Sequence, residues 1–224
     1  MRLLACGVCA LIAGGLGGCS TAGYTKGNAA AHSLERAAAE VQVQSQNLEK
    51  TMRSLKALVN EPETDLRKPF RRFSRDLERF AASVQRVNAT GREMEQRHAA
   101  YLQTWNQQID VMDYQRLRDV SQARWLEVSN RFDRLDQRYL QNQEVVGPVI
   151  SYLNDIRLAL STDLTSGGLQ AIRGTVENAD ANAAKVQAAL SALTRELLQN
   201  QTELSTVAHS RTNMLAKTNK LAKE

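Results

Sequence analysis

The most reactive side chains in this sequence are three cysteine thiols near its start. Cys6 and Cys9 lie within an apolar run of 14 residues, Leu3 to Leu16, and Cys19 follows shortly after it. A short positively charged start followed by such a run is typical of an export signal, and a membrane-spanning helix needs about 20 apolar residues. We therefore expect residues 1–18 to be a signal peptide that takes Cys6 and Cys9 with it. Cys19 then remains as a thiol without an intramolecular disulfide partner.

The residues around that remaining thiol, Leu16-Gly17-Gly18-Cys19, resemble the lipobox of bacterial lipoproteins. In that motif, small residues let the extended backbone enter the processing site, and the cysteine thiol receives a diacylglyceryl group. The resemblance implies lipidation at Cys19, and more than one acyl chain gives stable anchoring. Ser20 in place of an aspartate implies the outer membrane of a two-membrane cell. Residues 19–28 lack helical periodicity, which predicts a flexible tether from the lipidated cysteine.

No other group of side chains has the spacing of a catalytic or metal site. His32, His98 and His209 fall on three different predicted helices, and no cysteine is left to join them as a ligand. Serines and aspartates occur, but none lies at a strand-to-helix elbow. Gly167-Gly168 lacks the surrounding pattern of a phosphate-binding loop. The sequence therefore predicts no catalytic, cofactor-binding or metal-binding residue, and a protein that is not an enzyme.

One cluster of charges is dense enough to suggest a binding surface. Six basic residues lie close together against two acids, Asp76 and Glu78. Lipid headgroups, lipopolysaccharide or an acidic partner would be attracted to them; alternatively, they form a solvated face that pairs with acids on the first or fourth helix. The expected compartment disfavours nucleic acid, and the net charge of +5 is itself a weak indication of partners. This basic ridge consists of Arg67, Lys68, Arg71, Arg72, Arg75 and Arg79.

These residues must be positioned by helices, because apolar residues recur at spacings of three and four from Ala29 onward. Leu34, Val41, Leu48 and Leu55, for example, are seven apart. Four such stripes predict helices over about 29–60, 69–109, 114–162 and 166–222. We expect an all-α fold: an elongated antiparallel helical bundle or coiled coil, three long helices with a shorter N-terminal helix, forming a single domain over 29–224.

The breaks between stripes follow from proline and capping residues. Pro62 and Pro69 predict the end of the first helix near Asn60 and a regular second helix from about 69, although either proline also fits a first turn. Asp110 or Asp113 is expected to cap the third helix. Thr165 is expected to cap the fourth, with Leu164 packing on Leu169. Gly147-Pro148 lies inside the third stripe and predicts a kink, the alternative being a complete break.

Several polar or aromatic residues occupy positions where core packing is the simpler interpretation. His98 and Asn142 fall in predicted seams, where a buried polar side chain can fix the register between helices. Trp105 and Trp125 flank the turn between the second and third helices at similar distances. The two indoles could pack near each other across that hairpin, and core packing is favoured over a platform for a ligand.

A set of residues between about Phe70 and Leu204 carries a resemblance to a known family: Trp105, Leu117, Arg118, Ser121, Arg124, Arg131, Phe132, Leu135, Tyr139, Val146, Pro148, the run from Leu158 to Thr165, and Ala171. Through them the stretch resembles a family of proteobacterial helical, predicted lipoproteins designated DUF2959. The resemblance implies helical hairpins and a cell-envelope location, and it brings no activity, ligand or catalytic residue.

Together these patterns predict a lipid-anchored periplasmic scaffold or interaction protein of the bacterial outer membrane. Its partners would be the membrane, through Cys19, and a protein partner or a second copy of the chain, with no small-molecule substrate. The last turns past Leu204 are candidates for dimerisation. The alternative is a protein that binds or remodels a membrane surface through its basic face.

Overall fold

The computed structural model describes residues 22–60 and 64–205, and every regular element within those ranges is an α-helix. The all-α fold class expected from the sequence is confirmed. The five helices are α1 (Ala22–Asn60), α2 (Arg67–Asp110), α3 (Gln115–Thr162), α4 (Ser166–Ala171) and α5 (Arg173–Leu204).

The four long helices form an antiparallel bundle in which each long helix packs on two neighbours. Helix α1 lies against α2 and α5, and α3 lies against the same two helices. Two ion pairs across the α1–α2 interface give the relative direction of these helices. Arg36 pairs with Glu93 and Glu40 pairs with Arg86, so α1 and α2 are antiparallel. At 1.5 Å per residue, α1 alone is about 60 Å long. The bundle is therefore an elongated body with two well-separated ends.

The predicted heptad stripe of α1 forms part of a core shared by the four long helices. Leu34, Val41, Leu48 and Leu55 are at most 1% exposed, and they join one apolar cluster with residues of α2, α3 and α5. Phe80 of α2 is completely buried in the same cluster. The periodicity therefore identified the buried face correctly, because burial of a narrow apolar stripe is what holds such helices together.

The start of α1 differs from the expectation. The helix begins at Ala22, so the prediction of a flexible tether is wrong for residues 22–28. The N-terminal helix was also expected to be the short one, but α1 has 39 residues and α5 has 32. The glycines explain the difference. A Cβ at Gly27 would lie 3.2 Å from Cε2 of Tyr101, and one at Gly23 would lie 2.8 Å from Oε1 of Gln108. These glycines admit the last turns of α2 rather than loosening the chain. Cys19, the leader and Pro62 lie outside the described residues.

The helix starts also depart from the predicted caps. Helix α2 begins at Arg67, and Pro69 lies in its first turn, where a missing amide hydrogen costs no helical bond. Asp65 accepts a hydrogen bond from the backbone N–H of Arg67 at 3.1 Å. Helix α3 starts after Tyr114, which makes no side-chain cap, so neither predicted aspartate cap is present. The guanidinium of Arg118 instead donates to the carbonyl oxygen of Met112 and closes the turn.

Helix α3 runs through Pro148 without interruption, which excludes the break considered from the sequence. Pro148 is exposed, while its neighbours Val146 and Val149 are buried in the core. The proline ring therefore lies on the outer face of the helix, where the carbonyl of Glu144 that it leaves without an amide partner is close to water.

The last predicted helix is divided in two. Thr165 caps α4 as expected, accepting a hydrogen bond from the N–H of Gly168 at 3.1 Å. Ile172, with φ −92° and ψ 0°, then separates α4 from α5; its N–H donates to the carbonyl oxygen of Gly168 at 3.3 Å, and its own carbonyl oxygen accepts from the N–H of Val176 at 3.0 Å. Ser205 is extended, so α5 ends at Leu204 and not at 222 as predicted. Residues beyond 205, including His209 and the predicted dimerising turns, lie outside the described part.

Candidate interaction surfaces at the two ends of the bundle

The antiparallel topology gathers the residues of interest at opposite ends. The proximal end is formed by the start of α1, the end of α2, the start of α3 and the end of α5. The distal end is formed by the end of α1, the start of α2, the end of α3 and α4. In the sequence, Cys19 lies three residues before Ala22, where α1 begins at the proximal end. The basic ridge starts α2 and so lies at the distal end.

At the distal end, all six basic-ridge residues are exposed. Arg67 pairs with Asp65 at 2.9 Å, which lowers the pKa of that carboxyl, and Arg79 pairs weakly with Asp76 of its own helix at 3.5 Å. The six residues form a solvated face, and none of the ion pairs that the structure describes joins the ridge to an acid of the first or fourth helix. Four basic residues have no acid within ion-pair distance in the described ranges: Lys68, Arg71, Arg72 and Arg75.

Elsewhere on the bundle, basic side chains form ion pairs with acids of neighbouring helices. Lys56 at the end of α1 pairs with Asp180 of α5 at 2.9 Å, and Arg138 of α3 pairs with Glu196 of α5 at 3.4 Å. Arg131 also contacts Glu203 across the same α3–α5 interface. These pairs join neighbouring helices, whereas the central ridge residues face solvent. The charge of these four residues is therefore not neutralised by any acid in the described ranges.

At the proximal end, two tryptophans brace the α2–α3 hairpin. The indole N–H of Trp105 donates to Oγ of Ser121, and that of Trp125 donates to the carbonyl oxygen of Leu102, each at 2.9 Å. The ring of Trp105 lies against Tyr101, with centroids 5.5 Å apart. The described ring contacts thus pair Trp105 with a neighbour on α2 and not with Trp125. Each indole crosses the hairpin separately.

Beyond this brace, the tip of the hairpin exposes large apolar side chains that sequence reasoning overlooked. Val111 and Tyr114 are 78% and 77% exposed, and Leu117 and Val120 on the first turns of α3 are 63% and 65% exposed. Their spacing of three was visible in the sequence. These residues lie outside the heptad register of the buried seams, so the sequence pattern assigned them to no surface.

The interface of α2 and α3 contains the titratable groups most changed by folding. His98 is 2% exposed and stacks on Phe132, and burial lowers its pKa to about 3. One turn further along α3, burial and the charges of Glu95 and Asp133 raise the pKa of Asp136 to about 6. Asp136 and Glu95 line a groove of about 320 Å³ beside Tyr139.

These groups do not form a cluster of metal ligands within the described residues. Within residues 22–60 and 64–205, no three histidine, cysteine or acidic side chains converge as metal ligands. His98 is a core residue, in the seam position expected, and His32 is exposed beside Glu35 on α1. Asn142 is likewise buried in its seam, at 4% exposure. Among the described helices, none has a segment long and apolar enough to cross a bilayer.

A family model described as "Protein of unknown function (DUF2959)" matches residues 17–216. The matched region includes Cys19, both ends of the bundle and every described helix. Comparison with curated proteins and with solved structures gave no match.

Proposed function

Because the chain belongs to the DUF2959 family, whose description assigns no activity, we propose a function from the placement of its two ends. The protein is a lipid-anchored spacer of the bacterial cell envelope. Acyl chains on Cys19 hold the proximal end at the outer membrane, and the basic ridge presents positive charge to an acidic protein partner in the periplasm. The protein acts by binding and carries out no catalysis.

The observation that supports this proposal is the distance between the two surfaces. Cys19 lies three residues before Ala22, and the ridge begins at Arg67, across the whole length of α1. That length is about 60 Å. A partner bound at the ridge is thus held well away from the anchoring membrane, at a separation fixed by a packed core rather than by a disordered linker.

The ridge has the electrostatic character of a docking surface. Lys68, Arg71, Arg72 and Arg75 are exposed and make no ion pair with any described residue. Unpaired surface charges of one sign increase the rate of encounter with an oppositely charged partner and contribute specificity. They contribute little to folding, so their clustering is explained better by an external partner than by stability.

The alternative, in which the basic ridge binds the anchoring membrane, requires a different orientation of the bundle relative to the bilayer. With Cys19 and the ridge at opposite ends, the bundle would have to lie along the bilayer for both to contact one leaflet. Position-specific crosslinking distinguishes the two arrangements. A photo-crosslinking amino acid in place of Arg72 should capture protein in the spacer arrangement and lipid in the lying arrangement.

The deciding experiment combines that crosslinker with charge reversal in intact cells. We expect Arg71→Glu with Arg75→Glu to abolish protein crosslinks from position 72. A matched control is Arg134→Glu with Lys185→Glu, two exposed basic residues without a described ion pair; this control should leave the crosslinks unchanged. Equal loss in both variants would contradict a specific ridge. Anchoring is tested separately by the acyl mass on the mature N-terminal peptide, which Cys19→Ser should remove.

A further inference from the structure

The tip of the α2–α3 hairpin carries a compact set of apolar side chains that face water. This apolar tip consists of Val111, Tyr114, Leu117 and Val120, each more than 60% exposed. Most other apolar side chains of the described helices are buried in the seams, and exposed ones such as Leu140 and Leu158 lie far apart along α3. A contiguous exposed apolar patch at the end of an otherwise well-packed rod marks a surface that is covered in the functional state.

The first turns of α3 are amphipathic, with an apolar side that could contact a membrane interface. At about 100° per residue, Tyr114, Leu117 and Val120 occupy one side of the first turns of α3. Arg116 lies next to Val120 on this wheel, whereas Asp119 lies about 160° from Leu117. Arg116 therefore flanks the apolar side and Asp119 points away from it, while two further exposed acids, Asp110 and Asp113, lie in the turn next to Val111 and Tyr114. Tyrosine and arginine next to aliphatic residues are the composition that favours the headgroup region of a bilayer.

The position of the tip identifies which membrane it would meet. The tip and the start of α1 lie at the same end, because Gly23 packs on Gln108 and Gly27 on Tyr101 near the end of α2. Ser20 and Thr21 separate Cys19 from Ala22, and three successive peptide links span at most about 10 Å. An acylated Cys19 would therefore bring the proximal end to within about that distance of the bilayer surface.

We infer that the apolar tip inserts into the interface of the same bilayer that holds the acyl chains of Cys19, so that the bundle stands upright on two attachments. This inference rests on the lipid anchoring proposed above. From Tyr114 to Val120 the helix rises about 9 Å, which matches the shallow depth of about 5 to 10 Å that interfacial segments reach. The tryptophan brace behind the tip keeps the hairpin ends together during insertion.

The experiment uses the processed, lipidated chain in vesicles of phosphatidylethanolamine and phosphatidylglycerol. Because acylation consumes the thiol of Cys19, a cysteine introduced at position 117 is the single site for an environment-sensitive fluorophore. A matched control carries the cysteine at position 158, where Leu158 is 66% exposed near the opposite end of the same helix. We expect a blue-shifted emission and quenching by lipid-borne quenchers at position 117, and water-like emission at position 158.

The possible outcomes separate tip insertion from anchoring. Water-like emission at both positions, with acyl mass present on the protein, would overturn tip insertion and leave the anchor intact. Absence of acyl mass would overturn the anchor itself. For chain carrying Cys19→Ser, we expect flotation with the same vesicles to fall about tenfold when Leu117→Ser and Val120→Ser are added. No such fall, or a blue shift at 117 that depends on protein concentration without vesicles, would also overturn insertion.

Discussion

The imidazole of His98 lies flat against the ring of Phe132 in the α2–α3 interface, with centroids 3.6 Å apart and planes 10° from parallel. Neither ring nitrogen of His98 has a hydrogen-bond partner among the described residues. The side chain thus fills the core as a neutral aromatic ring. Protonation would place an unpaired charge in that core, which is why burial lowers the pKa of His98 to about 3.

This burial predicts a loss of stability in mild acid. The unfolded chain binds a proton at His98 below about pH 6.5, whereas the folded protein does so only near pH 3. The free energy of unfolding should therefore fall as the pH drops below 6.5, by up to about 1.4 kcal/mol per pH unit from this group. In urea titrations between pH 7 and 4, His98→Leu should flatten that decline. The exposed control His32→Leu should not, and an equal slope in all three proteins would refute the assignment.

Asp136 predicts the opposite dependence on pH. Its pKa of about 6 lies above the ordinary value of 3.8, so the folded state holds a proton that the unfolded state releases, and the group costs stability as the pH rises from 3.8 through 6. Solvent screening of this half-buried carboxyl reduces the cost to about 1 kcal/mol at pH 7. Asp136→Asn should therefore raise the midpoint of urea unfolding at pH 7. Glu144→Gln, an exposed acid on the same helix, should leave it unchanged.

The sequence predicted the buried faces well because a seam residue must recur every three to four positions. The stripe from Val128 to Leu160 in α3 is buried at the predicted positions, including the polar Asn142. The apolar tip was overlooked for the same reason. Its residues follow no seam, and only the turn at Met112 brings Val111 beside the start of α3.

The ends of the helices were less predictable because a glycine in a sequence is compatible both with a flexible segment and with a helix packed closely on its neighbour. Residues 19–28 suggested a tether because they lack helical periodicity, yet Gly23 and Gly27 permit close packing of α1 on α2. Whether a missing side chain loosens a segment or admits a neighbour depends on the partner helix, which periodicity does not reveal. The basic ridge, in contrast, is visible in sequence as a cluster, but its distance from Cys19 required the topology.

The turn before α4 provides a test of this dependence on context. A Cβ at Gly168 would lie 2.3 Å from the carbonyl oxygen of Asp163, whereas one at Gly167 would come no closer than 3.7 Å to Oγ1 of Thr165. We expect Gly168→Ala to lower the free energy of unfolding by about 2 kcal/mol through this clash. Gly167→Ala should be neutral or slightly stabilising, since alanine favours helix. Chemical denaturation of both variants measures the difference, and equal stabilities would contradict the close approach of Gly168 to Asp163.

Substitutions on α3 and on the basic ridge should separate folding from binding. Leu135 is completely buried among the four long helices, and Leu140 is 59% exposed on the same helix. Leu135→Asp should unfold the bundle, because an unpaired carboxylate in that core costs several kcal/mol. Two other variants should fold normally: Leu140→Asp alone, and the double variant Arg71→Glu with Arg75→Glu. Each should show the helical circular dichroism and the cooperative thermal transition of the original chain. If the ridge variant unfolded as Leu135→Asp does, its loss of crosslinks would report on stability, and the ridge would have a structural role within the bundle.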